Sequence, residues 1–368
     1  MGVRFLLGAL FVCNLLVVKA NMAEPIDRGT LATSPFLNQY VDILHEDIYV
    51  TLDSEFKKAN YEIVYNIKAQ KEGVNIPFLF YASEVEGNFK VTIDGKPLEI
   101  SQVPDLYVDV DSTEFRDFSY FFSTESFDDH ENKRWVHLDE SEDNDGFYIT
   151  LDDFLFFETD ILEGEHQIRV TYTATSWRDG WNWVNEYSFR YALSPAKYWK
   201  SFGSLTITLD ATKYENKLST TIGEPTSGKI DSIATWKFDS LPSNMFNILY
   251  IPEISSTAQT FINIGSTRFK YVLTVLLVVL HILFIFMFRK RKPKAKFSWI
   301  VLLGSLIIPF VYLSVSIFFY SYVDDLIGEH TSGTHGYAGI EIILYPLLMP
   351  IYFLFAWLVD RWIKNKSK

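Results

Sequence analysis

The 368-residue chain is 48% hydrophobic and carries a formal charge of −13, with a mean hydropathy of +0.06. Residues 21–267 hold 41 Asp and Glu against 19 Lys and Arg, a formal −22, so the remainder carries +9. That division excludes an ordinary soluble globular domain, a disordered chain and a basic nucleic-acid binder, and leaves a membrane protein with a large external domain.

Residues 1–20 read as a secretory signal peptide. Arg4 precedes an apolar run from Phe5 to Val18, and Val18-Lys19-Ala20 offers a cleavage site. The run is shorter than the roughly 20 residues of a membrane span, and an uncleaved anchor is the alternative. Cys13 is the only cysteine. A cleaved protein therefore has no disulfide and no thiolate chemistry, and its external domain stands on its core alone.

Strand patterns follow. Tyr61, Ile63, Tyr65, Ile67 and Ala69 share one face, and Phe89, Val91 and Ile93 alternate with polar neighbours before an Asp94-Gly95 hairpin turn. Ile168, Val170, Tyr172 and Ala174 repeat the pattern, as do Tyr187, Phe189, Tyr191 and Leu193, and then Leu205, Ile207 and Leu209. No helical period survives three turns between 40 and 255. The expected fold is an all-β, sandwich-like extracytoplasmic domain, in β-rich lobes over 42–111 and 146–252. Between them, residues 112–145 form an acidic insert or loop with eleven Asp or Glu and three Lys or Arg.

Two features of this domain are candidate sites. Ser141, Asp143, Asp145 and Asp152 place oxygen ligands around Gly146 in a partial calcium-loop spacing. Position twelve is Asp rather than Glu and a strand follows, so a solvated acidic turn is the reading carried, with calcium as the alternative. Trp177, Trp181 and Trp183 flank an Asp179-Gly180 turn. These rings either cover the end of the core or present an aromatic patch to a protein, peptide or glycan.

The run Phe189-Arg190-Tyr191-Ala192-Leu193-Ser194-Pro195-Ala196-Lys197-Tyr198-Trp199, followed by Leu205–Leu209, resembles a pattern in uncharacterised bacterial envelope proteins with an exported β-rich domain. The resemblance implies bacterial export and brings no catalytic residue. Physically, Pro195 ends a strand and Trp199 packs on the core near the next one.

Three apolar segments close the chain: 271–288, 299–320 and 339–359. The loop 289–298 carries six positive charges, Arg361, Lys364, Lys366 and Lys368 follow the third segment, and 321–338 has Asp324, Asp325 and Glu329 with no Lys or Arg. Positive charge marks the cytoplasmic side. The expected topology is a multi-pass inner-membrane protein with residues 21–270 periplasmic or extracellular and residues 360–368 a cytoplasmic tail. His281 and Glu341 are the ionisable groups within the membrane part, and Pro309, Pro346 and Pro350 are candidate kinks.

No nucleophile elbow, metalloprotease helix or phosphate loop is present, and no enzyme or resident cofactor is expected. The function expected is protein interaction or scaffolding in a membrane complex, with the lipid bilayer and a protein as partners and no nucleic acid. A sensor or ligand-binding module for glycan, peptide or calcium is the alternative, and a transport accessory subunit comes third.

Overall fold

The structure is a computed structural model and describes residues 26, 27, 30–33, 40–87, 89–102, 134–136, 147–149, 154–193, 196, 199–333 and 336–366. Residues 1–20 with Cys13, most of the 112–145 insert, Pro195 and the proposed calcium turn of Ser141, Asp143, Asp145 and Asp152 lie outside the described residues. The chain divides into two units. One comprises Ile26–Asp179 and Asn185–Pro252; the other contains Gly180–Val184 and the chain from Glu253 onward.

The first unit is a β-sandwich. Successive side chains in a strand point to opposite faces, so the alternating segments bury one set each. Tyr61, Ile63, Tyr65, Ile67 and Ala69 are buried on strand Lys58–Ala69. Ile168, Val170, Tyr172 and Ala174 are buried on Gly164–Thr175, and Leu205, Ile207 and Leu209 on Ser201–Asp210. Asp94 and Gly95 have φ of 50° and 76°. Both are left-handed, as a two-residue hairpin requires, and they join Lys90–Ile93 to Lys96–Pro97.

One eight-stranded sheet runs in the order Ser227–Gly228, Ile233–Phe238, Ser201–Asp210, Val41–Leu52, Lys58–Ala69, Gly164–Thr175, Lys90–Ile93 and Lys96–Pro97. Ser201–Asp210 and Val41–Leu52 are parallel neighbours. The other sheet centres on Glu186–Ala192, which pairs with Trp177–Asp179, Leu31–Thr33 and Met245–Tyr250, and continues through Gly73–Ser83 to Phe154–Ile161. Strands from 42–111 and from 146–252 alternate within the first sheet, and one core cluster includes residues of both sheets. A separate pair, Arg134–Val136 with Phe147–Ile149, lies within the stretch of the acidic insert and the strand after it.

The second unit is helical. Ser266–Arg291, Trp299–His330 and Gly339–Lys366 are long and apolar enough to cross a membrane, which makes the chain a multi-pass membrane protein carrying a β-sandwich domain. The third of these begins as a 3-10 segment, Gly336–Leu344, and becomes α-helical at Tyr345. Pro346 stands in that first α-turn. Pro309 and Pro350 lie inside their helices.

A further helix, Ser256–Ile264, was not legible in the residue pattern. The Ser255 side chain caps it by accepting from the Ala258 N–H at 3.1 Å, and Gly265, with φ of 74°, ends it.

Candidate functional site

Three polar side chains of the first membrane helix, Lys270, His281 and Arg289, each meet a partner on the third. Lys270 forms an ion pair with Glu341 and lies 4.3 Å from the Tyr312 ring centre. Between Lys270 and Arg289, His281 is within 2.9 Å of both the Tyr352 hydroxyl, through Nδ1, and the Ile300 carbonyl, through Nε2. Arg289 forms a two-pronged pair with Asp360, its Nε donating to Oδ1 at 2.7 Å. Each partner is 71 positions further along the chain. A constant offset is what two helices running in the same direction produce when they face each other in register.

The chemistry of the middle rung follows from the inventory of donors. A carbonyl only accepts, so Nε2 carries the proton shared with Ile300, and Nδ1 accepts from the Tyr352 hydroxyl. The neutral ring therefore satisfies both contacts and joins all three helices. Gly304 makes room for it: a Cβ there would stand 2.1 Å from Nε2. From Lys270 to Arg289 is 19 residues, about 28 Å of helix, close to a hydrocarbon core of about 30 Å. The ion pairs thus bracket the apolar layer and the histidine lies inside it.

Arg289 also donates to the Ala295 carbonyl at 2.7 Å, and Lys364 donates to the same oxygen at 3.0 Å, fixing the basic loop. Lys290, Arg291, Lys292, Lys294 and Lys296 remain exposed. Asp360 and Tyr352 escaped the sequence reading, whereas Gly304 is one of the small residues that offer a helix-packing surface in sequence. The signal was available as a polar residue 71 positions after each of Lys270, His281 and Arg289, but nothing in one sequence singles out that offset beforehand.

The three tryptophans are not brought together as one surface. Trp177 is buried in the sandwich, its indole N–H donating to the Thr30 carbonyl at 3.1 Å and the Arg190 guanidinium 4.5 Å from its ring centre. Trp183 belongs to the helical unit and packs against Tyr320 and Phe319 of the second span, with ring centroids 5.3 and 6.3 Å away. Trp181, also in that unit, is 69% exposed. Trp199 stacks on Tyr65 at 6.3 Å within the core.

A second polar cluster lies inside the sandwich. Val41 and Ile43 point inward, a register shift follows between Ile43 and His45, and Glu46, Ile48, Val50 and Leu52 then take the inward positions. This β-bulge turns a carboxylate into the core. Gly203 accommodates it, since a Cβ there would meet the Leu44 carbonyl oxygen at 2.1 Å. Tyr191, from the opposite sheet, donates to Glu46 at 3.1 Å and stands 2.7 Å from the Tyr65 hydroxyl. With the Tyr191 proton committed to Glu46, Tyr65 is the donor in that second bond. Burial and the neighbouring Tyr65 and Glu46 push the Tyr191 hydroxyl well above its ordinary pKa, so it stays a donor at neutral pH.

Among the described residues, no group of three or more His, Cys, Asp or Glu is placed to hold a metal ion. No protein-family model matches the chain, and no curated protein does. Among solved structures, the M1 zinc metallopeptidase from Deinococcus radiodurans is similar at 9% identity and a TM-score of 0.28, over 58% of this chain and 43% of that one. Native leukotriene A4 hydrolase from Saccharomyces cerevisiae is similar at 9% identity and a TM-score of 0.30, over 59% and 30%. The chain spans less than half the length of either.

Proposed function

We propose that the protein is a non-enzymatic, membrane-anchored scaffold of an envelope complex, whose acidic β-domain engages a protein partner outside the cytoplasm. One observation carries the anchoring half of this reading. Lys270, His281, Arg289, Glu341 and Asp360 are all used in contacts that join the helices. A transport pathway needs such groups turned towards a moving ion or proton; these are turned towards each other.

The orientation proposed puts 289–298 and the chain end in the cytoplasm. Five exposed cations in that loop support it, whereas Lys270 at the other end is neutralised by Glu341. Residues 21–267 have a formal charge of −22, which favours a partner with a basic surface and a salt-sensitive association.

Tagged full-length protein, purified from its native membrane in mild detergent at low salt, is expected to bring down a stoichiometric protein partner that dissociates as salt rises. Purification of the protein alone after cross-linking in intact membranes overturns the scaffold reading. An impermeant maleimide applied to intact cells tests orientation. It should label Lys213→Cys and spare Lys294→Cys; the reverse pattern overturns the topology.

A further inference from the structure

The neighbours of Trp181 fix its depth. The Trp183 carbonyl accepts from the Ser332 N–H at 3.1 Å, and Val184 forms a β-bridge with Thr331. Together with the Trp183 ring on Phe319 and Tyr320, these contacts clamp residues 180–184 to one end of the second span. At that same end the Tyr320 hydroxyl lies 2.8 Å from Ser266 Oγ, where the first span begins. Ala258, Phe261 and Ile262 of the short helix pack with Phe319, Val323 and Ile327 there as well.

The other end of the second span is marked by Trp299, which is 66% exposed. Trp299 and Tyr320 are 21 positions apart, about 32 Å of helix, against a hydrocarbon core of about 30 Å. With Trp299 at one boundary between lipid and water, Tyr320 and Trp183 lie at the other. Trp181 is two residues from Trp183 and is 69% exposed. Indole combines an apolar body with a single N–H, and it is enriched where one end of a side chain is dry and the other wet.

The flanking Gly180 and Asn182 add no large apolar side chain, so one ring alone presents far less surface than a stable protein interface buries. We propose that Trp181 is an interfacial membrane anchor, its ring seated among the headgroups of the leaflet at the Tyr320 end of the second span. The proposal depends on the membrane crossing of that span and not on the scaffold role, so the two fail separately.

Spin labels in the full chain, reconstituted in phosphatidylcholine–phosphatidylglycerol nanodiscs, test the depth directly. Cys13 is the only native cysteine, and Cys13→Ser removes it. A label at Trp181→Cys should resemble one at Trp299→Cys, with collisions favouring oxygen over a water-soluble nickel reagent several-fold relative to a label at Lys213→Cys. A label at 181 as nickel-accessible as that at 213, or shielded from both reagents, overturns the proposal. Should the cysteine variant fail to fold, Trp181→Phe provides a second reading. Subtracting its emission from that of the wild type should leave a component quenched by brominated lipid and little affected by acrylamide; the opposite quenching pattern overturns the anchor.

Discussion

Arg289 meets Asp360 71 positions further along the chain, the same offset that separates His281 from Tyr352 and Lys270 from Glu341. Three contacts at one offset hold the first and third membrane helices in a single register. A one-turn slip would break all of them together.

The Arg289–Asp360 pair is buried at both partners. Removing one partner leaves the other charge uncompensated, so Asp360→Leu alone should destabilise the bundle by roughly 3–5 kcal/mol. Combining it with Arg289→Met should recover most of that loss. Unfolding of the full-length protein from mild detergent by titrated SDS measures both, and equal losses in single and double variants would refute the coupling.

Gly304→Ala puts a methyl where His281 Nε2 stands. The ring must leave the Ile300 carbonyl, and overpacking of this kind costs about 1–3 kcal/mol. The same titration should show that loss in wild type but little further effect of Gly304→Ala in a His281→Ala background. An undiminished effect there would sink the assignment.

In the sandwich, Gly203→Ala drives a Cβ into the Leu44 carbonyl, which backbone cannot evade cheaply. The bulge that turns Glu46 inward should be lost or strained, lowering the melting temperature of the β-domain. Tyr191→Phe should cost about 1–3 kcal/mol, because Glu46 loses a donor in a buried site. Tyr65→Phe should cost less, since the bond lost is to the neutral Tyr191 hydroxyl and not to a carboxylate. Melting monitored by near-ultraviolet circular dichroism ranks the three.

His166 and Asp94 give the domain a pH dependence. Burial opposes the His166 charge, but hydrogen bonds with Asp94 and the Leu162 carbonyl outweigh it and raise the pKa above 6.5. Burial likewise opposes the Asp94 charge, and the bonds from His166 and the Gln167 N–H bring its pKa below 3.8. The histidine contribution is complete below pH 6.5 and is lost as pH rises through the raised value. The aspartate contribution is present above pH 3.8 and is lost as pH falls through the lowered one. His166→Gln should therefore lower the melting temperature more at pH 5.5 than at pH 8.5; an equal shift at both would remove the ion pair from the account.

Much of the fold was legible because its causes are local. Period-two alternation marked the buried faces of Lys58–Ala69, Gly164–Thr175 and Ser201–Asp210, and Asp94-Gly95 marked its own turn. Alternation says which face a side chain takes and nothing about which strand lies beside it. The stretches 42–111 and 146–252 are therefore interleaved in one sheet without any local sign. The bulge at Leu44 is equally silent: it depends on Gly203, nearly 160 positions away, and it alone sends Glu46 inward.

The membrane part divides the same way. Apolar runs of 18, 22 and 21 residues, close to what a bilayer core requires, with basic clusters on one side, determined three spans from sequence alone, because hydrophobic transfer acts on each segment separately. Charge partners are a property of pairs. In sequence Lys270 and Arg289 count among the cations flanking a span, and Glu341 is an acid near water; packed helices make them two ends of one ladder. The tryptophans complete the point. Trp177, Trp181 and Trp183 are neighbours along seven residues, and only the tertiary structure decides that the first lies in a β-core while the others belong to the end of a membrane helix.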